Sequence, residues 1–153
     1  MLLCMCFLID GELSSLPADF VYLKDACPQI PVFLKYATTD NFTGSIVPGY
    51  LSPHAIFMRE AADSLNKVQS ELSMAGLGLL VFDTYRPQKA VDYFVKWAAN
   101  DKDQTTKANY YPREHKKNLI KRGYIASRSG HSNGNCIDLT IITRDSTGIK
   151  ELN

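Results

Sequence analysis

The chain has 153 residues, of which 45% are hydrophobic and 22% charged, and this size and composition suit one globular domain with a buried core. Seventeen basic residues against sixteen acidic ones leave a net charge of +1, and no block of like charge could follow a phosphate backbone, so we expect no nucleic acid partner. No apolar run approaches the roughly 20 residues that cross a bilayer as a helix, so we expect no membrane partner. The oligomeric state stays open.

An apolar stretch at the amino terminus admits two interpretations. Residues 2–9 have the length of the hydrophobic region of a signal peptide and are followed by the small residues Ser14 and Ser15, but no Lys or Arg precedes them. We therefore interpret residues 1–19 as a signal remnant or an N-terminal extension, with an ordinary first strand as the alternative, and residues 20–153 as one domain. The protein is expected to be periplasmic if residues 2–9 belong to a signal peptide and cytoplasmic otherwise.

The first long element predicted is an amphipathic helix followed by a strand. Ser52 and Pro53 suit an N-cap and a first helical position, and apolar residues then recur at spacings of three and four: Met58, Ala61, Leu65, Val68, Leu72 and Ala75. Gly76 is typical of the residue that ends a helix. Residues 77–82 form a short apolar run whose length suits a buried strand.

A turn and a second helix are predicted next. Residues 83–87 form the turn, and Pro87 opens a helix whose apolar face carries Ala90, Phe94, Trp97 and Ala98. Arg86 therefore lies at a strand-to-helix junction. The polar residues 100–109 predict a loop, and residues 113–122 predict a short basic helix with a solvated face around Lys116.

Residues 135–143 alternate as a strand does, with Ile137, Leu139 and Ile141 on one face and Asp138 on the other. The polar segment before this strand contains glycines that let a loop fold back, so His131 and Asp138 can converge. Imidazole nitrogen and carboxylate oxygen are both good zinc ligands. On residue types alone, however, a histidine hydrogen-bonded to an aspartate is the favoured interpretation, because a zinc site needs at least three ligands.

The same segment resembles a known family. The pattern formed by Ser129, His131, Gly134, Cys136 and Asp138 is similar to the S-x-H-x-x-G-x-A-x-D signature of D-Ala-D-Ala dipeptidases, which include the vancomycin-resistance dipeptidases. Three further segments resemble the family in the same order: residues 34–44, 85–87 and 123–127. The one departure is Cys136 at a position that usually holds alanine, and a buried thiol is close enough in size to be tolerated.

The resemblance implies a fold, a substrate and a cofactor. It implies an α+β domain with helices packed on a mostly antiparallel sheet, like that of zinc D-Ala-D-Ala dipeptidases and carboxypeptidases, and the hydrolysis of the small dipeptide D-Ala-D-Ala in cell-wall precursor metabolism. Zinc is the implied cofactor, with His131 and Asp138 as two of its three protein ligands. Arg86 matches the arginine that stabilises the transition state, and Tyr36 and Ser129 match positions that line the substrate pocket.

The family's third ligand and general base belong to a downstream E-x-W-x-H segment. The 153 residues contain no such segment, so we expect the C-terminal part of the domain to be missing and the chain as given to be inactive or nearly so. Two alternatives stay open. The first alternative is a non-catalytic remnant or peptide-binding module. The second is a peptidoglycan D,D-carboxypeptidase. Arg86, Tyr36 and Ser129 could also have purely structural roles, as an ion-pair partner and as groups that satisfy the backbone.

Overall fold

The chain folds into helices packed on antiparallel sheets. The computed structural model describes residues 16–145 and 148–151, and side chains are described for residues 16–143. Its strands are β1 (Phe20–Tyr22), β2 (Ile56–Met58), β3 (Leu77–Asp83), β4 (Asp138–Asp145) and β5 (Gly148–Glu151). Strands β1 and β2 form one sheet, and the other has the order β3, β4, β5, with every pair antiparallel. The predicted α+β class is confirmed.

The described helices differ greatly in length: α1 (Leu23–Ala26), α2 (Arg59–Met74), α3 (Gln88–Ala99) and α4 (Lys107–Tyr110). Within this part of the chain, no helix has both the length and the apolarity that crossing a bilayer requires. The interpretation of residues 1–19 as a signal remnant or extension falls mostly outside the described residues, so it stays a prediction.

Helix α2 begins six residues later than its N-cap signal predicts. Its N-cap is Met58, not Ser52, because residues 56–58 are extended and pair with β1, with Phe20 opposite Met58. Because these paired strands are far apart in sequence, no local residue pattern indicates that residues 56–58 form a strand. The predicted apolar stripe is confirmed at Leu65 but not at Val68, which is 46% exposed while the neighbouring Gln69 is buried. Gln69 is stable there because its side-chain oxygen accepts the backbone N–H of Leu79 at 2.9 Å.

Two apolar clusters form the core. In the first, Ala62 and Leu65 of α2 pack with Leu79 and Val81 of β3, so that α2 covers one face of this strand. In the second, the predicted apolar face of α3 is confirmed: Ala90, Phe94, Trp97 and Ala98 are all buried. Rings in this second cluster meet edge to face or tilted, with centroids 4.8–5.6 Å apart, in the order Tyr36, Phe94, Phe42, Trp97 and Tyr111.

A β-bulge at the end of β3 changes which side chains share a face. Leu79 pairs with Ile141 and Val81 with Leu139, but Asp83 then pairs with Asp138, so two steps on β3 match one step on β4. Regular pairing would have placed Asp83 opposite residue 137. The extra residue instead turns Asp83 toward the face that carries Asp138, because successive side chains of a strand alternate between faces.

The face of β3 that packs against α2 continues onto β4, but its side chains on β4 are less buried. Leu139 and Ile141 lie beside Val81 and Leu79 in register, yet they are 37% and 40% exposed. The alternating pattern predicted only that both share the more apolar face of this strand. Helix α2 packs over β3, and the buried apolar residue of β4 is instead Ile142 on the opposite face.

Residues 113–122 form no regular helix but a single 3₁₀ turn, Lys116–Asn118. The expectation of a solvated face is wrong for Lys116, which is completely buried. Its ammonium lies 3.8 Å from the centroid of the Trp97 ring and donates to the backbone oxygen of Asp103 at 2.8 Å and to its carboxylate at 3.2 Å. The cation is stable there because it has both a π face and anionic and carbonyl acceptors.

Candidate functional site

The signature segment folds back over the start of β4. Residues 130–133 form a 3₁₀ turn that begins at Ser129, whose hydroxyl accepts the backbone N–H of His131 at 3.3 Å. Gly134 ends the turn with φ of +78°, a conformation that favours glycine. A Cβ atom at this position would also lie 2.3 Å from the Phe20 ring. The loop therefore depends on Gly134 to direct the chain into β4.

The imidazole of His131 is held in one orientation. Its Nδ1 donates to the backbone oxygen of Thr84 at 2.8 Å, because a carbonyl can only accept. The other nitrogen, Nε2, lies 3.4 Å from Oδ1 of Asp138. The hydrogen bond between these two side chains raises the pKa of His131 and lowers the pKa of Asp138. Nε2 is thus the nitrogen that faces Asp138, and a bound metal would take the place of its proton, as in metal sites where the second ring nitrogen is bonded to a carbonyl.

The spacing of this pair fits zinc. A tetrahedral ion with bonds of about 2.1 Å separates its ligand atoms by roughly 3.4 Å, which is the distance between Nε2 of His131 and Oδ1 of Asp138. Asp83 lies nearby, and ligand atoms of the three residues fall within 4.8 Å of one another. Asp83 approaches the wrong nitrogen, however, because its Oδ2 lies 3.7 Å from Nδ1. In the described residues, the geometry therefore offers two ligands to one ion.

Arg86 lies between the two carboxylates. Its Nε donates to Oδ2 of Asp83 at 2.9 Å, and its Nη2 lies 2.8 Å from that oxygen and 3.0 Å from Oδ2 of Asp138. Burial alone would lower its pKa, but the charge of Asp83, the neighbouring Tyr36 and Tyr50 and the hydrogen bond to Asp83 together outweigh burial and raise the pKa. The Tyr36 ring packs 5.1 Å from the guanidinium carbon. Arg86 is therefore charged and fixed in place.

The loops that carry Arg86 and His131 are also bonded through their backbones. The N–H of Arg86 donates to the carbonyl oxygen of His131 at 3.2 Å. Its own carbonyl accepts from the hydroxyl of Ser132 at 2.8 Å. With the bond from His131 to Thr84, three hydrogen bonds fix the two loops relative to each other.

A cavity of about 160 Å³ opens beside Arg86. Its walls include all three residues predicted to contact substrate or transition state, together with aromatic and aliphatic side chains: Tyr36, Phe42, Arg86, Phe94, Ile125 and Ser129. Burial raises the pKa of Tyr36 to about 12, so its hydroxyl stays protonated at neutral pH. A larger cavity of about 620 Å³ shares Phe42 and Ile125 but is not lined by Arg86, His131 or Asp138, so volume alone does not identify the site.

The loop that carries Tyr36 is held by a buried asparagine. Asn41 is 2% exposed, and its side-chain amide donates to three backbone oxygens of residues 35–45, at 2.7, 2.8 and 3.3 Å. Its side-chain oxygen accepts both the backbone N–H and the hydroxyl of Thr43. One side chain therefore organises the whole loop.

The structure brings all five predicted site residues together, since Arg86 contacts Tyr36, Ser129 and Asp138, and Asp138 faces His131. The roles assigned to them stay predictions. Sequence reasoning missed two buried residues, Asp83 and Tyr50, whose side chains meet behind Arg86. Asp83 had one usable signal: it ends an apolar strand run three residues before Arg86.

Comparison with known proteins identifies similar sequences. The peptidase M15 family model described as D-ala-D-ala dipeptidase matches residues 17–151. Proteins named D-alanyl-D-alanine dipeptidase are similar in sequence: 43% identical over 126 residues in Enterococcus faecalis, 42% over 123 in Streptomyces coelicolor and 31% over 130 in Escherichia coli. The matches cover 82%, 80% and 85% of this chain but 62%, 61% and 56% of those proteins.

The matched region includes every site residue described above. The chain spans about three fifths of the length of these curated relatives. From the residue pattern, the antiparallel fold and these similarities together, the chain belongs to the D-ala-D-ala dipeptidase family of peptidases.

Proposed function

We propose that this chain forms the substrate-binding and part of the zinc-binding site of an enzyme that hydrolyses D-alanyl-D-alanine. The observation that carries the proposal is the position of Arg86, which lines the small cavity and also contacts the carboxylate of Asp138. The names of the relatives support the substrate. A fixed cation, a metal-ligand pair and a small cavity are among the parts that amide hydrolysis uses.

His131 and Asp138 would hold the zinc ion. When bound, zinc lowers the pKa of a coordinated water and polarises an amide carbonyl. The protein's own contribution is to direct Nε2 of His131 toward Asp138 through the bond from Nδ1 to Thr84, so that zinc would take the place of the Nε2 proton. Among the described side chains, neither a third ligand nor a general base joins this pair.

Arg86 would stabilise the negative charge that develops on the carbonyl oxygen. Two of its nitrogens, Nε and Nη2, are bonded to the carboxylates. The third, Nη1, has only a 3.5 Å contact with the hydroxyl of Ser129, at the outer limit of a hydrogen bond. Nη1 can therefore donate to a ligand in the cavity without breaking an ion pair.

The size of the cavity favours a dipeptide over a longer peptide. Pockets for drug-sized ligands measure roughly 300–1,000 Å³, whereas this one measures about 160 Å³. Its walls include the aromatic and aliphatic side chains of Phe42, Phe94 and Ile125, against which methyl groups can pack, and the donors Tyr36, Arg86, Arg128 and Ser129. The cavity thus argues against the D,D-carboxypeptidase alternative, which needs space for a longer chain.

The test compares three peptides with the zinc-loaded chain: D-Ala-D-Ala, L-Ala-L-Ala, and a tripeptide ending in D-Ala-D-Ala. We expect D-alanine to be released, slowly, from the D,D dipeptide in preference to the other two. Arg86→Lys should lower this rate by roughly 10²–10³-fold, and Arg59→Lys, the same change at the start of α2, should not. Zinc-dependent binding of the dipeptide without release would favour the binding-module alternative, and neither binding nor release would contradict the proposal.

A further inference from the structure

A buried carboxylate lies behind Arg86 and His131. Asp83 is 1% exposed, and each of its oxygens accepts from the hydroxyl of Tyr50, at 2.8 and 2.9 Å. Oδ2 also accepts from Nε of Arg86. Such a group is costly to bury unless it is paired and hydrogen-bonded, and Asp83 is both.

Asp83 is in the wrong place to bind the metal itself. It faces Nδ1 of His131, whereas Asp138 faces Nε2, and the two ring nitrogens point in different directions. Nδ1 is already bonded to Thr84. Both oxygens of Asp83 also have donors, so binding a metal would require breaking the bonds to Arg86 and Tyr50.

We propose that Asp83, fixed by Tyr50, is the positioning residue for Arg86. This inference rests on the proposed function, because it gives Arg86 its role at the developing oxyanion. Asp83 holds two guanidinium nitrogens and leaves Nη1 directed toward the cavity and Ser129. Asp83 also competes with Asp138 for Nη2 of Arg86. This competition weakens the ion pair between Arg86 and Asp138, whose carboxylate must also bind the metal.

Tyr50 makes the carboxylate a stable anchor. Burial and the charge of Asp83 raise the pKa of Tyr50, so the phenol stays a hydrogen-bond donor. The tyrosine is 7% exposed and packs against Tyr36, with ring centroids 5.5 Å apart. Tyr50, Asp83 and Arg86 thus form a chain of contacts from the aromatic cluster to the cavity.

The first measurement uses the metal-free chain and does not depend on its activity. Hydrogen exchange of the Arg86 Nε–H, followed by NMR, should be slow in the native protein and at least roughly tenfold faster in Asp83→Asn, the equivalent of one charge-assisted hydrogen bond. Tyr50→Phe, which keeps the ion pair, should give a smaller change in the same direction. Asp92→Asn, an exposed aspartate of α3, is the matched control. An unchanged exchange rate in a folded Asp83→Asn or Tyr50→Phe protein would overturn the inference.

The second measurement uses the zinc-loaded chain and a phosphinate isostere of D-Ala-D-Ala, a stable mimic of the tetrahedral transition state. Asp83→Asn should weaken its binding by roughly 10–100-fold and weaken binding of the dipeptide much less. In an Arg86→Met background the same substitution should have no further effect. A purely structural role would weaken both ligands equally with or without Arg86, and that result would overturn the inference. If the native chain binds no phosphinate, the proposed function fails, while the exchange experiment still decides the role of Asp83.

Discussion

Nε2 of His131 lies 3.4 Å from Oδ1 of Asp138, although these residues belong to different elements, a 3₁₀ turn and a strand. The left-handed Gly134 between them reverses the chain direction. Because Nδ1 is bonded to a backbone oxygen, the imidazole cannot rotate without losing a buried hydrogen bond. The pair is therefore preorganised before a metal arrives.

The first prediction concerns zinc affinity. The native chain should bind one zinc ion weakly, since two protein ligands leave half of a tetrahedral shell to water. His131→Ala or Asp138→Ala should abolish binding in calorimetric titration. His54→Ala, at an exposed histidine outside the pair, should leave it unchanged. Tight binding that survives His131→Ala would contradict the site.

The second prediction concerns the loop around Tyr36. Asn41→Ala removes every contact of the buried amide and leaves several backbone groups unsatisfied, so the free energy of unfolding should fall by roughly 2–3 kcal/mol. Urea denaturation measures this change. The same substitution at the exposed Asn109 should cost less than about 0.5 kcal/mol, and an equal loss at both positions would show that Asn41 does not organise the loop.

The third prediction concerns self-association through the open face of β4. Leu139 and Ile141 form an exposed apolar strip on a sheet, and such surfaces favour association. Light scattering should detect dimers or larger species as concentration rises, and Leu139→Lys should suppress them. Met74→Lys changes an apolar residue that is 84% exposed at the end of α2 and should have no such effect. A native chain that stays monomeric at every concentration would contradict this prediction.

The fourth prediction concerns acid stability near Lys116. Hydrogen bonds from the backbone and hydroxyl of Thr105, followed by the bond from Lys116, lower the pKa of Asp103 in the folded chain. A lowered folded pKa stabilises the protein above the unfolded pKa of about 3.9, and this stabilisation is lost as pH falls through the folded value. The difference in melting temperature between native and Asp103→Asn proteins should therefore shrink below pH ~4. A difference that is constant from pH 3 to 7 would exclude Asp103 as its source.

Local patterns predicted the elements that depend on local forces. The apolar run of β3 and the amphipathic face of α3 are found where the sequence indicated them, because burial of one stripe or one short segment decides both. The predicted start of α2 was wrong because the residues just before the helix form β2, which pairs with a strand 36 residues earlier. The predicted exposure of Lys116 was wrong because its acceptor, Asp103, and its aromatic partner, Trp97, become its neighbours only in the folded chain.

The candidate site, like the fold, was predicted from the sequence only in part. Family resemblance identified Arg86, His131 and Asp138, and the structure brings them into contact. Asp83 and Tyr50 could not be identified in this way from residue types, because the orientation of Asp83 depends on the bulge and Tyr50 reaches it from a loop 33 residues away. The one sequence signal of Asp83 was its position at the end of an apolar run, three residues before Arg86.

The bulge in β3 also bears on how this sequence can vary over evolutionary time. Substitutions that straighten the bulge without changing the length of β3 would restore an unbroken ladder with β4 and place Asp83 opposite residue 137. They would also turn Asp83 away from Arg86 and break the contact between Tyr50, Asp83 and Arg86. Such changes in this strand should therefore be purged from functional descendants, although they make its pairing more regular.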